Sequence, residues 1–292
     1  MDNRPSEESL YRDSDFAISL YQQGRYGEAS ELQQRVLTTS ERLLGPDHPD
    51  TIARTSYLAI TLWARGRHAE ALTWQRRAAA ASERVLGRDH PDTLAARNNL
   101  AMILTETGSP AEAAQIHRDV LAAKERVLGP NHPDILHTVV NLAACYSASG
   151  QYEHALEING RALRMAERTL GREHPATLTI RNNVAANTSE VHGHAKAVDL
   201  HETNLAIRRR MHGPDHPDTL QTSHNLGVSY REIGQYAKSA ELLTDTLRRF
   251  GRALGDDHPN AVKCRTSLAT TYQRMGRPED AATIRGGGSV VP

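Results

Sequence analysis

The sequence predicts an all-α array of helical hairpins, and three observations predict it. A Leu-Gly-x-(Asp/Asn/Glu)-His-Pro element recurs with its histidines at His48, His90, His132, His174, His216 and His258, each 42 residues after the last. A glycine column at Gly24, Gly66, Gly108, Gly150, Gly234 and Gly276 keeps the same period. Between these markers, apolar residues recur at three- and four-residue steps, the spacing of one helix face. A fixed interval of this length marks a repeat array. Such an array works through its extended surface, which points to holding another molecule.

The first hairpin is expected from residue 10 to about residue 44, after a flexible segment over 1–9. It lacks the His-Pro entry, but Phe16, Ala17, Leu20, Gly24, Tyr26 and Ala29 fit the register. Each later hairpin opens at a His-Pro pair, and the one at His132 shows the pattern best. Pro133 suits the first helical position, where its missing N–H would have no intrahelical partner anyway. Asp134 complements the positive end of the helix dipole. Leu136, Leu142, Ala143 and Tyr146 form one apolar face, and Gly150 ends the helix where the chain turns through positive φ. The first helix of this hairpin is thus expected over about 133–149. The second runs from Tyr152 to about Thr169, with Ala155, Ile158, Ala162, Leu163 and Ala166 as its stripe and Gly171 beyond it. A small residue recurs at the Ala155 position: Ala29, Ala71, Ala113, Ala197, Ser239 and Ala281. It marks the close crossing of the two helices. The hairpin at His174 departs from the pattern twice: His192 stands where the turn glycine is expected, and His212 replaces the leucine before Gly213. The last hairpin stops early, since Ala281, Ala282 and Ile284 begin a helix that Gly286-Gly-Gly cannot continue. Residues 10–285 are therefore read as one array, and 286–292 as a disordered glycine-rich tail.

Composition narrows the function. The 35 basic and 35 acidic residues balance, whereas a dedicated nucleic-acid binder would carry a basic excess or stripe. Lys124, Lys196, Lys238 and Lys263 are the only lysines, an arginine bias that, with the abundant alanine, fits a GC-rich bacterial coding sequence. Cys145 and Cys264 lie almost three repeats apart, too far to meet in a linear stack, and two unpaired cysteines fit a reducing compartment. No stretch approaches 18 apolar residues and the N-terminus has no apolar leader, so a cytoplasmic protein without a membrane role is expected.

The Leu-Ala-x-x-Tyr, Gly, Tyr/Ala and final apolar positions of each unit resemble the tetratricopeptide repeat. The 42-residue length and the Leu-Gly-x-Asp-His-Pro-Asp-Thr-Leu linker resemble its kinesin-light-chain-like subtype, over residues of about 10 to 285. The resemblance implies a right-handed α-solenoid of about seven antiparallel hairpins, a superhelix whose first helices line a concave groove. It places Asn99, Asn141, Asn183 and Asn225 at one groove-facing position, with Asn98 and Asn182 beside them. Tyr57 and Ser267 hold that position in the second and seventh hairpins. An amide offers both donor and acceptor, and in related arrays such asparagines hold an extended peptide. The same residues could instead bridge adjacent helices. Other groove columns carry Ile60, Trp63 and Met102 toward the N-terminus and His224, Arg231, Lys263 and Gln273 toward the C-terminus. Trp63 also has a packing reading, because Leu62 beside it fills the tyrosine column.

The six aligned histidines do not read as a metal site. Equivalent positions of successive hairpins lie two helix widths apart, roughly 20 Å, whereas zinc ligands sit about 2 Å from one ion. Each histidine is expected to cap a helix or to pack in the linker. His194 and His201, seven residues apart in the departing hairpin, form the weaker alternative of a metal or pH response. No nucleophile elbow, P-loop, His-Glu-x-x-His helix or dinucleotide fingerprint is present in the sequence. The expected role is a non-catalytic, cofactor-free scaffold or adaptor for a peptide or protein. The alternative is a sensor for a switch ATPase, or a module self-assembling through its array ends.

Overall fold

The computed structural model describes residues 7–288, and among them the secondary structure is helical throughout. The chain divides into two compact units, Met1–Gly150 and Gln151–Pro292. The first contains α1 (Glu7–Gln22), α2 (Tyr26–Leu43), α3 (Pro49–Ala64), α4 (His68–Leu86), α5 (Pro91–Glu106), α6 (Pro110–Leu128) and α7 (Leu136–Ala148), the last preceded by a 3-10 turn at Pro133–Ile135. The second contains α8 (Tyr152–Thr169), α9 (Pro175–His192), α10 (His194–His212), α11 (Pro217–Glu232), α12 (Tyr236–Leu254), α13 (Pro259–Arg274) and α14 (Pro278–Arg285). Odd-numbered helices are the first, or A, helices of the hairpins and even-numbered ones the B helices. Within each unit every helix packs against its neighbours in sequence, and successive A helices also touch, as in α3–α5 and α9–α11. This is the nearest-neighbour packing of a repeat array, and the fold class is the all-α solenoid type that the period predicts.

The recurring histidines cap the A helices. In all six, Nδ1 accepts the backbone N–H two residues on, at 3.2 Å, from Asp50, Asp92, Asp134, Ala176, Asp218 and Asn260. The helix follows at once because proline holds N1, except after His132, where Pro133 opens the 3-10 turn. An acceptor at this position satisfies one of the orphan donors of the first turn.

Small residues set the hairpin crossing. Ala29, Ala71, Ala113, Ala155, Ala197, Ser239 and Ala281 are all fully buried, so no larger side chain fits where the two helices meet. Apolar clusters fill the space on either side, such as Leu37, Leu58, Leu62, Ala71 and Ile103 in the first unit. In the second unit, Leu243, Phe250, Leu268 and Tyr272 form the heart of another. Arginines in the last turns of B helices reach back to linker acids about one repeat earlier. Arg84 pairs with Asp47, Arg126 with Asp89 at 3.0 Å, and Arg210 with Glu173.

Two boundaries differ from the sequence reading. Helix α1 begins at Glu7 rather than residue 10, because Glu7 and Glu8 sit in its first turn where carboxylates are favoured. Residues 286–288 wrap the end of α14, with the Gly287 and Gly288 amides donating to Ile284 and Thr283 carbonyls. The expectation of a disordered tail falls otherwise on 289–292, outside the described residues. The departing hairpin keeps its glycine turn one position late. Helix α9 runs through His192 and Gly193 alone, at φ +87°, connects it to α10. Other A–B connections have three residues, for example 65–67. His212 fills the missing leucine's place by setting its ring against that of the cap His216, with centroids 4.9 Å apart.

Candidate functional site

The A helices carry the predicted asparagine column, and in each unit its side chains are half-buried. In the first unit, Asn99 lies on α5 in a cleft of about 170 Å³ between α3 and α5, with Tyr57, Ile60 and Ala95. Asn141 lies on α7, and its Nδ2 is shielded from solvent without a hydrogen-bond acceptor. Asn98, one residue before the column, is buried and turned sideways. Its Nδ2 donates to His137 Nδ1 of α7 at 3.3 Å, while its Oδ1 has no donor.

The second unit shows more bridging. Asn182 Oδ1 accepts from Thr222 Oγ1 at 3.4 Å and from Asn225 Nδ2 at 3.5 Å, and Gln221 donates to the other end of Asn225 at 3.0 Å. His224 Nε2 meets Ser267 Oγ at 2.9 Å. Arg231 donates to the Ser267 carbonyl at 3.3 Å and to Glu232 at 2.8 Å. Two columns thus behave differently. Asn98, Asn182 and His224 tie one A helix to the next, whereas Asn99, Asn141 and Asn183 have no such tie among the described hydrogen bonds. Asn225 belongs to both arrangements.

Trp63 and Lys263 take part in none of these hydrogen bonds. Trp63 packs on the Leu37–Leu58–Leu62 core beside Trp74, with its indole N–H buried and unpartnered. Lys263 is exposed on α13.

The B helices supply a buried polar column that the sequence reading missed, although it had singled out one member, His201, for another role. At one repeat position stand Gln33, Gln75 and His117 in the first unit and Asn159 and His201 in the second, all buried. Each is polar on an otherwise apolar stripe. Gln75 is fully used, with Oε1 accepting from Ser56 at 3.1 Å and Nε2 donating to the Ala96 carbonyl at 2.9 Å. Gln33 Oε1, both ring nitrogens of His117, Asn159 Oδ1 and His201 Nδ1 have no protein partner. Their 42-residue interval was the available signal, and only burial separates it from a polar column that faces solvent.

Burial sets the protonation of the histidines. It pushes His117 down to about 4, helped by His137 and Lys124 nearby. It pushes His201 to about 4 as well, helped by His194, whose own Nδ1 meets Ser229 Oγ at 3.1 Å. His224 falls to about 4 through burial, with Arg231 and Lys263 contributing and the Asn225 hydrogen bond opposing. These rings are neutral at pH 7, and of the three only His224 takes part in the described hydrogen bonds, with Ser267. Among the described residues, no three His, Cys, Asp or Glu side chains are placed to hold one metal ion. Both cysteines are buried and free, and no described helix is long and apolar enough to cross a membrane.

Comparison with known proteins decides the family. The tetratricopeptide repeat model matches overlapping stretches, 9–80, 51–126, 115–168, 134–202, 176–252 and 234–284. The chain is a member of the tetratricopeptide repeat family. Its repeats are of the kinesin-light-chain-like type. A Podosopora anserina protein, described by its kinesin light chain nearly identical TPR-like repeats, shares 27% identity at a TM-score of 0.61, over 71% of this chain and 98% of that one. BtubC (BKLC) from P. vanneervenii shares 18% identity at a TM-score of 0.55, over 78% of this chain and 92% of that one. A Rap protein complexed with Competence and Sporulation Factor shares 12% identity at a TM-score of 0.61, over 97% of each chain. The last two show likeness of fold alone. Comparison with curated proteins yields no match.

Proposed function

We propose that this tetratricopeptide repeat protein is a non-catalytic scaffold that holds an extended peptide segment of a partner protein against its A helices. The observation that carries this reading is the amide position repeated on the A helices, Asn99 and Asn141 in the first unit and Asn183 and Asn225 in the second. These side chains are half-buried, and the Nδ2 of Asn141 lies out of solvent without an acceptor. A buried donor without a partner costs about 1–3 kcal/mol. A peptide carbonyl would satisfy it, and the amide's two ends suit a backbone that presents donor and acceptor together. The neighbouring column of Asn98, Asn182 and His224 holds adjacent A helices at a set spacing, which preorganises the amides beside it. The Rap protein complexed with Competence and Sporulation Factor is a neighbour in fold that takes a partner. The balanced charge suits a peptide better than a polyanion.

The test is selection of a phage-displayed random peptide library on the immobilised full chain, followed by anisotropy titration with a synthetic selected peptide. Asn99→Ala with Asn141→Ala is expected to weaken that peptide roughly 10- to 30-fold, at about 1 kcal/mol per lost hydrogen bond. The helical circular dichroism should be unchanged. Equal affinity for wild type and double variant sinks the proposal.

A further inference from the structure

Gln33 and Gln75 hold the same position in consecutive repeats, yet only Gln75 is satisfied. The donor to Gln75 is Ser56, whose counterpart one repeat earlier is Ser14. Ser14 is diverted: its hydroxyl donates to the Leu10 carbonyl at 2.8 Å and accepts from Arg54 Nε at 3.1 Å. Arg54 stands where the next repeat has Ala96, and this substitution draws Ser14 away. Gln33 Oε1 is left out of solvent with no donor, on a side chain only 7% exposed.

Gln33 lines the cleft between α1 and α3. Two adjoining cavities there, of about 140 Å³ and 250 Å³, share Ile18, Gln33 and Tyr57. Val36 and Ala53 add apolar wall to the smaller one. Its charges are internally balanced. Arg54 and Asp50 face each other at 3.9 Å, Asp50 accepts the Tyr11 hydroxyl at 2.5 Å, and the Arg54 guanidinium lies 5.0 Å from the Tyr11 ring centroid. A charged occupant would find no uncompensated opposite charge. A cavity of about 150 Å³ with apolar walls accepts a six-carbon group.

We infer that the α1–α3 cleft is a side-chain pocket for the partner's peptide segment: a neutral, leucine-sized side chain enters between Ile18, Val36 and Tyr57, and the segment's backbone N–H donates to Gln33 Oε1. This inference rests on the peptide-holding reading above and gives that segment a neutral apolar anchor.

The probe is N-acetyl-leucine methylamide, followed through the Ile18 δ-methyl signal of the full chain by carbon-13 methyl NMR. The comparison compound is the same molecule N-methylated at both amides, which has no N–H to give. The leucine probe is expected to shift Ile18 saturably and to bind about tenfold tighter than its N-methylated form, the worth of one hydrogen bond to a buried acceptor. Gln33→Leu should erase that preference and raise the melting temperature, since it removes an unsatisfied buried oxygen. Equal binding of both compounds to wild type, no shift of Ile18, or a lowered melting temperature in Gln33→Leu overturns the inference. So does probe binding that requires deletion of residues 1–6, which would make the chain's own N-terminus the occupant. An Ile18 shift that grows with protein concentration alone would make the occupant a second copy, and overturns it too. Asn99→Ala with Asn141→Ala should leave the probe's affinity unchanged, so failure here is separable from failure of the asparagine column.

Discussion

A histidine at the N-cap is an uncommon choice beside Ser, Thr, Asp or Asn, and here it is made six times. The ring accepts through Nδ1 while proline takes N1, so five A helices start at a fixed residue, and the sixth cap opens the 3-10 turn before α7. Removing one cap should cost about 1 kcal/mol. His90→Ala is therefore expected to lower the urea midpoint, and His90→Asp to recover most of the loss because a carboxylate can take the same N–H. If both variants lose equally, the ring is acting through packing instead. The residue scale is also where the sequence was hardest to interpret. Asn98 and Asn99 are adjacent and chemically identical, yet one ties helices together and the other lines a cleft. Only the rotation of α5 about its axis separates them.

At the scale of elements the sequence was far more legible. The expected span of α8 from Tyr152 to Thr169 agrees with the structure, because an apolar stripe bounded by two glycines leaves little freedom. The small-residue column was equally readable, since only a buried crossing demands it at every repeat. Compensation between helices was not readable. Leu243 stands at the position of Gln33, Gln75 and His117, and the facing residue on α11 is Gly227 where other repeats have alanine. A Cβ on Gly227 would lie 2.7 Å from the Leu243 side chain. Gly227→Ala should destabilise by about 1–3 kcal/mol through overpacking. Adding Leu243→Gln, which restores the Ala59–Gln75 type of pair, should return much of it in a double-mutant cycle. Strict additivity of the two changes would refute the coupling. The turn at Gly193 was hidden for a different reason: the expected glycine was absent at 192, and its replacement one residue later kept every downstream position in register.

For the molecule as a whole, each compact unit contains histidines held neutral: buried His117 in the first, buried His201 and half-buried His224 in the second. Unfolded, these rings take up a proton below about pH 6.5. Folded, they resist until about pH 4. The unfolded chain therefore binds more protons across that window, and stability falls as pH drops through it, by about 1.4 kcal/mol per pH unit for each histidine. Urea midpoints at pH 7.5 and pH 5 should differ accordingly, and His117→Gln with His201→Gln should flatten the dependence. A pH-independent midpoint in the wild type would show that the rings are not buried as neutral groups. The period announced the fold at this scale, but it concealed the buried polar column, because a polar residue repeated on a helix reads as solvent-facing until its neighbours are in place.

The single-residue connection at Gly193 bears on how this protein can be modified. The three-residue turns between other A and B helices, such as 65–67, have slack that can take up an inserted tag or tether at little cost. Between α9 and α10 there is none: Gly193 is the whole connection, at a φ that other residues adopt only under strain. A foreign loop placed there would have to unwind one helix end or the other. The hairpin that deviates most from its siblings is thus the one least open to engineering, and splice points for chimeras of this array belong in the longer turns on either side of it.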